Sequence, residues 1–379
     1  MNTEKSGNLQ KTIAIIIIAA IALFFILATV VQGFGPDTDI PSDDKPPEDT
    51  DNPPNDTEDT TPPDDEKLPS ENENKDDETV TTPEKIKYKS YLTGLDISEE
   101  KYPYQRLVYI CENSSSIYGA SSSELIIEIP CENGETRYAV YTPYNSNLGK
   151  IGALAPTRAY ISNTVRLFGG LICAYGSDDT VSYGENNPTL HLDLSKNDSF
   201  FYKESINSIY TRDDLIEKII SSERIDMLAV KTPSVPFCFT ENPTFSKTDA
   251  RLLSIPYSKE NQTAFAYDEA TGKYKFLKNG KQQYDMLSGE NLSFDNLFVL
   301  FADSVTYETA GGVETVMNTE SEGAGYYVSS GKLTEFKWEI DGSGKLRFLS
   351  LSGNDLQISA GTSYIAYYKS SNIKSITFE

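Results

Sequence analysis

Histidine is nearly absent. His191 is the only one in 379 residues, so a histidine-rich metal centre is excluded and a Ser-His-Asp triad would rest on that one side chain. It alternates with Leu190 and Leu192 in TLHLDL, the pattern of an exposed strand position. Cysteine is scarce as well. Cys111, Cys131, Cys173 and Cys238 show no close spacing, which excludes a zinc knuckle and a CxxC redox motif. Cys111 and Cys131 both precede Glu-Asn and close apolar runs. Two readings stay open: a disulfide outside the cytoplasm, or four small buried hydrophobes. The chain has no basic stripe, and its net charge is −24, which excludes nucleic acid as a partner. It has no glycine loop of the phosphate-cradling kind; Gly311-Gly312 and Gly323/Gly325 fit β-turns. No cofactor and no metal are implied.

One apolar run stands out. Thr12–Val31, TIAIIIIAAIALFFILATVV, carries twenty residues without a charge. That is the length an α-helix needs to cross roughly 30 Å of hydrocarbon. Lys5 and Lys11 precede it, and Asp37 and Asp39 follow. The bias of basic residues toward the cytoplasm then leaves residues 1–11 inside and the remainder extracytoplasmic. A cleaved signal peptide is the alternative, but its apolar core is usually roughly 7–15 residues and ends at a small-residue cleavage site. Gln32, Gly33, Phe34 and Gly35 make a poor one. The expectation is a single-pass anchor in the cell membrane.

Residues 32–85 have almost nothing apolar. Within 36–80 there are 18 acidic and 3 basic residues, so the segment cannot offset its ordering entropy and is expected to be a disordered, extended tether. Fully extended, residues 35–82 would reach about 160 Å.

After the tether the period of the apolar residues sets the elements. Arg106–Cys111, Leu125–Pro130 and Arg137–Thr142 read as strands, with Glu132-Asn133-Gly134 as a turn. Pro156, then Ile161, Val165 and Phe168, then Gly169-Gly170, mark a helix. Thr211–Asp214 reads as a capping box opening a second helix with Ile216, Ile219 and Ile220 on one face. Strands among helices predict an α/β domain over 86–243. From 244 to 379 the alternation has period 2, as in Phe265/Tyr267 and Phe336/Trp338/Ile340, and Asn279-Gly280 signals a hairpin. That half is expected to be a mostly antiparallel β domain, and the fold class α+β or α/β with a membrane anchor. The two halves are expected to pack together without interleaving.

The order of segments resembles the YerB-like putative lipoproteins of Gram-positive bacteria, a family of unknown function. The likeness runs through NSSSIYGASSSELIIEIPCENGETRYAVY (113–141), KIGALAPTRAYI (150–161), LICAYGSDD (171–179) and SFFYKESINSIYTRDDL (199–215). It resumes at AFAYDEATGKYKFLKNGKQQYD (264–285) and GAGYYVSSGKLTEFKWEIDG (323–342), and ends near AGTSYIAYY (360–368). The resemblance implies an N-terminal α/β domain followed by a β-rich one. Members are usually anchored by a lipid on an N-terminal cysteine, and here no cysteine precedes Cys111, so the helix would replace the lipid. Polar family positions fall on Ala155, Cys173 and a place near Asn207, while Glu128, Glu132, Thr136 and Arg137 match.

The candidate site is Glu128, Glu132, Arg137 and Arg158. Glu128 interrupts an apolar strand, where an ionised carboxylate needs a partner. A two-residue turn at Asn133-Gly134 would set Glu128 opposite Ala139 and diagonal to Arg137. The arrangement is either a cleft where arginines grip an anion and a carboxylate acts as base, or a structural ion pair. Asp178 and Asp179 follow a buried strand, as ligands for a cation or as a solvated turn. The expected function is a tethered binding or interaction module of the cell envelope. Its partner would be an envelope protein or wall polymer. The alternative is an envelope hydrolase with a glutamate base.

Overall fold

The computed structural model describes residues 87–99, 101–102, 104–113, 117–131, 134–177, 191–205, 208–228, 234–309 and 312–379. The expected transmembrane helix 12–31 and the tether 32–85 lie outside them. Among the described residues no helix is long and apolar enough to cross a membrane.

The chain first lays down β1 (Arg106–Glu112), β2 (Leu125–Pro130) and β3 (Thr136–Pro143). Helix α1 (Ala159–Arg166), β4 (Leu171–Ala174), β5 (His191–Asp193) and α2 (Asp213–Ser222) follow. The second half contributes β6 (Leu252–Pro256), β7 (Gln262–Asp268), β8 (Lys273–Lys278) and β9 (Asn296–Ala302). Then come a hairpin, β10 (Ser304–Thr309) with β11 (Gly312–Met317), and β12 (Glu322–Ser329), β13 (Lys332–Ile340) and β14 (Ser363–Lys369).

One eleven-stranded sheet runs through both halves. From the short strand Thr248–Asp249 its order is β13-β12-β9-β14-β2-β3-β1-β4-β5, with Leu346–Ser350 on the side of β13. The halves meet at one seam, where β14 lies parallel to β2 with Ile365 beside Ile127. Strand order does not alternate between the halves, but the sheet and its core cross the expected boundary at Thr244 without a break. Around β2 and β3 the pairing is antiparallel, while β1, β4 and β5 are parallel. Among the described residues the expected α/β layer of the first half is thus a mixed sheet with two short α-helices. The second half is β throughout, apart from a 3-10 turn at Ser370–Ser375.

Both faces of this sheet are covered, which is why β9 reads NLFVLFA with every residue buried. On one face Tyr109, Ile126, Tyr138, Leu297 and Tyr364 pack against a six-stranded sheet built on β6, β7 and β8, and against α2. On the other Ile127, Ala139, Phe298, Ile365 and Trp338 meet Ile161 and Val165 of α1. The hairpin at Asn279-Gly280 forms as expected, both residues taking positive φ (50° and 74°) so that Lys278 pairs with Lys281.

Two local expectations change, and one open reading is decided. Thr211 does not cap α2: its hydroxyl donates to the Phe200 carbonyl, and the cap residue is Arg212, which makes no side-chain cap bond. The Asp213 carboxylate turns inward instead, accepting from the Leu148 amide (2.7 Å) and the Tyr109 hydroxyl (3.1 Å). Cys111 and Cys131 form no disulfide with each other, and Cys111 is fully buried. His191 is half-buried rather than exposed, and burial lowers its pKa from 6.5 to about 4. Because the unfolded chain binds that proton more readily, stability should fall as pH drops from about 6.5 toward about 4. NMR titration of this sole imidazole should give a midpoint of about 4; a midpoint near 6.5 would show that the ring is solvated.

Candidate functional site

Glu128 is the one charged residue of LIIEIP and is fully buried. Its register decides what it meets. A five-residue connection, 131–135, closed by the Cys131 amide on the Glu135 carbonyl, joins β2 to β3. It sets Glu128 opposite Tyr138 and Ile129 opposite Arg137. The expected pairing is off by one residue, and in a sheet that slip moves a side chain to the opposite face. Glu128 and Arg137 therefore do not meet.

The counter-charge comes from the second half. Lys278 Nζ lies 2.8 Å from Glu128 Oε1, with both side chains almost wholly buried. Thr136 donates to the same oxygen at 2.7 Å. Tyr364 donates to Oε2 at 2.7 Å, and the Thr263 hydroxyl lies 2.9 Å from it. Lys278 also donates to Thr263 Oγ1 at 2.9 Å. The rings of Tyr138 and Tyr257 stand 5.5 and 5.8 Å from the ammonium, within cation–π range. The Tyr257 hydroxyl is buried near this carboxylate, and burial with that negative charge pushes its pKa well up. The cluster joins β2, β3, β7, β8 and β14, and thereby both sheets and both halves. An ionised carboxylate has about four acceptor positions, and four donors surround this one. It has neither a free lone pair nor solvent contact for proton abstraction.

A second tie lies at Asp285. Its carboxylate accepts from the amides of Gly119 (2.9 Å), Ser121 (2.9 Å) and Leu287 (2.8 Å) and from the Ser121 hydroxyl (2.5 Å). One side chain of the second half thus holds a turn of the first.

The other expected site residues are dispersed. Arg137 points to the far face, where its guanidinium donates to the Pro156 carbonyl at 2.6 Å. It pairs across strands with Glu112, whose pKa is raised by burial against the lowering effect of Arg137. Arg158 is the cap residue of α1 without a side-chain cap bond. Glu132, Asp178 and Asp179 lie outside the described residues. Arg137→Ala should accordingly cost only about 0–1 kcal/mol in a denaturant melt; a loss of several kcal/mol would return Arg137 to the Glu128 cluster.

One small pocket adjoins the cluster. It has a volume of about 240 Å³ and lies between the halves, with Tyr257 in its wall. Pro130 and Cys131 border it from the first half, Met317 and Lys369 from the second.

Residues 253–365 match the family described as the C-terminal domain of a protein of unknown function, DUF3048. No curated protein matches the chain. Among solved structures, the chain is similar to the crystal structure of YerB from Bacillus subtilis. Identity is 18%, the TM-score 0.67, and the match covers 77% of this chain and all of that one. At that identity the likeness is one of fold. Both findings support the YerB-like resemblance, and the matching family is one of unknown function.

Proposed function

We propose that the protein is a membrane-tethered, extracytoplasmic binding module of the cell envelope. The observation that carries this reading is the sealed Glu128–Lys278 cluster. The strongest candidate for a catalytic base is spent on joining the two halves, and Arg137 lies on the other face. What remains for function is the surface and the pocket of a rigid β body. The apolar segment 12–31 and the acidic tether support its placement outside the membrane. In cells stripped of their wall, external protease should cut within 36–80 and release a resistant fragment that begins near residue 83. Protection of that segment would contradict the topology. For the binding role, the full chain should sediment with isolated envelope material through the β body, and a chain ending at residue 85 should not.

A further inference from the structure

We propose that the pocket at the seam is a binding site for a small zwitterion of about dipeptide size, with its carboxylate on Lys369 and its ammonium on Glu135. This rests on the pocket itself and goes beyond the general binding role. Three neighbouring strands, β9, β14 and β2, run parallel and therefore end on one side. Pro130 ends β2, Lys369 ends β14, and Ser304 stands just beyond the end of β9. All three residues line the pocket. The carboxyl ends of parallel strands are where sheets that pair strands this way leave a crevice for ligands.

The lining sets the ligand's chemistry. Glu135 and Lys369 are exposed and of opposite sign, and among the described residues neither has an ion-pair partner within 4 Å. Tyr257 and Met317 also line the pocket and supply apolar wall. A plain anion would answer only one of the two charges and would meet a chain of net charge −24; a zwitterion answers both. The volume, about 240 Å³, is below the roughly 300–1,000 Å³ of sites for drug-sized ligands. The wall is fixed in advance. Tyr257 packs edge-on against Tyr368, with centroids 5.6 Å apart, and Tyr368 donates to the Pro256 carbonyl at 2.8 Å. Its far side rests on the Lys278–Glu128 pair.

The test is calorimetric titration of the purified full chain with L-alanyl-L-alanine. Cys131 lines the pocket and serves as a second reporter: in a Cys238→Ser background, bound dipeptide should slow its alkylation. Blocking either end of the probe, as N-acetyl-alanylalanine or alanylalanine amide, should weaken binding about tenfold or more. Lys369→Glu and Glu135→Lys should each do the same to the free dipeptide, and the double swap should restore binding with the ligand reversed. Both side chains are exposed, so these variants keep the fold. Three results would overturn the proposal: no binding of the free dipeptide up to about 10 mM, well beyond a weak millimolar Kd; equal binding of the blocked forms; or single swaps without effect. Envelope sedimentation that persists in the swap variants would leave the general binding role standing while this site fails.

Discussion

Lys278→Met should destabilise the fold by about 3–5 kcal/mol, the cost of leaving a buried charge without its partner. Glu128 would keep its bonds from Thr136, Thr263 and Tyr364 but lose its cation partner Lys278. The companion change separates charge from shape. Adding Glu128→Gln to Lys278→Met removes the stranded charge and keeps an acceptor for Tyr364, so the double variant should be more stable than Lys278→Met alone. Such non-additivity is expected where two residues share one network. Urea melts followed by fluorescence of Trp338, the sole and fully buried tryptophan, give the comparison. A double variant no better than the single would show that the pair is not coupled.

Asp285→Ala should cost about 3 kcal/mol. Three amides and a hydroxyl lose their acceptor together, and each donor left buried and unsatisfied costs roughly 1–3 kcal/mol. Water reaching the turn offsets part of that sum. Asp285→Asn should be milder, since one amide oxygen still accepts. The effect should also appear at a distance, as faster hydrogen exchange of the Gly119 and Ser121 amides. Unchanged exchange there would mean that the aspartate does not hold the turn.

The strands of both halves were legible because alternation is a direct image of a pleated surface. The all-apolar NLFVLFA run marked a strand covered on both faces. Glu128 stood out for the same reason, as a charge within a buried strand. Its partner was misassigned because register depends on loop length. The two-residue turn expected at Asn133-Gly134 would give one pairing, and the five-residue connection gives the other. Lys278 carried a signal of its own: Tyr274, Phe276 and Lys278 alternate in KYKFLK and are all buried, so the lysine occupies an inward position. Thr263 precedes Phe265 on the inner face of β7 in the same way. That these inward residues face Glu128 across two sheets was not legible. It depends on β14 docking beside β2, a contact between residues more than 230 positions apart, as in the Tyr364–Glu128 bond. Thr211 was misread for a simpler reason, since local spacing cannot tell a cap from a side chain drawn into tertiary contacts.

The central claim is that the halves form one cooperative body through the β14–β2 seam and the Glu128–Lys278 tie. Native-state hydrogen exchange on the full chain tests it most directly, by comparing the amides of β2 with those of β8 and β14. The account predicts that all three strands open with the same free energy and that Lys278→Met lowers protection in all three together. Loss of protection in β8 alone, with β2 unchanged, would contradict it and return the chain to two independent domains.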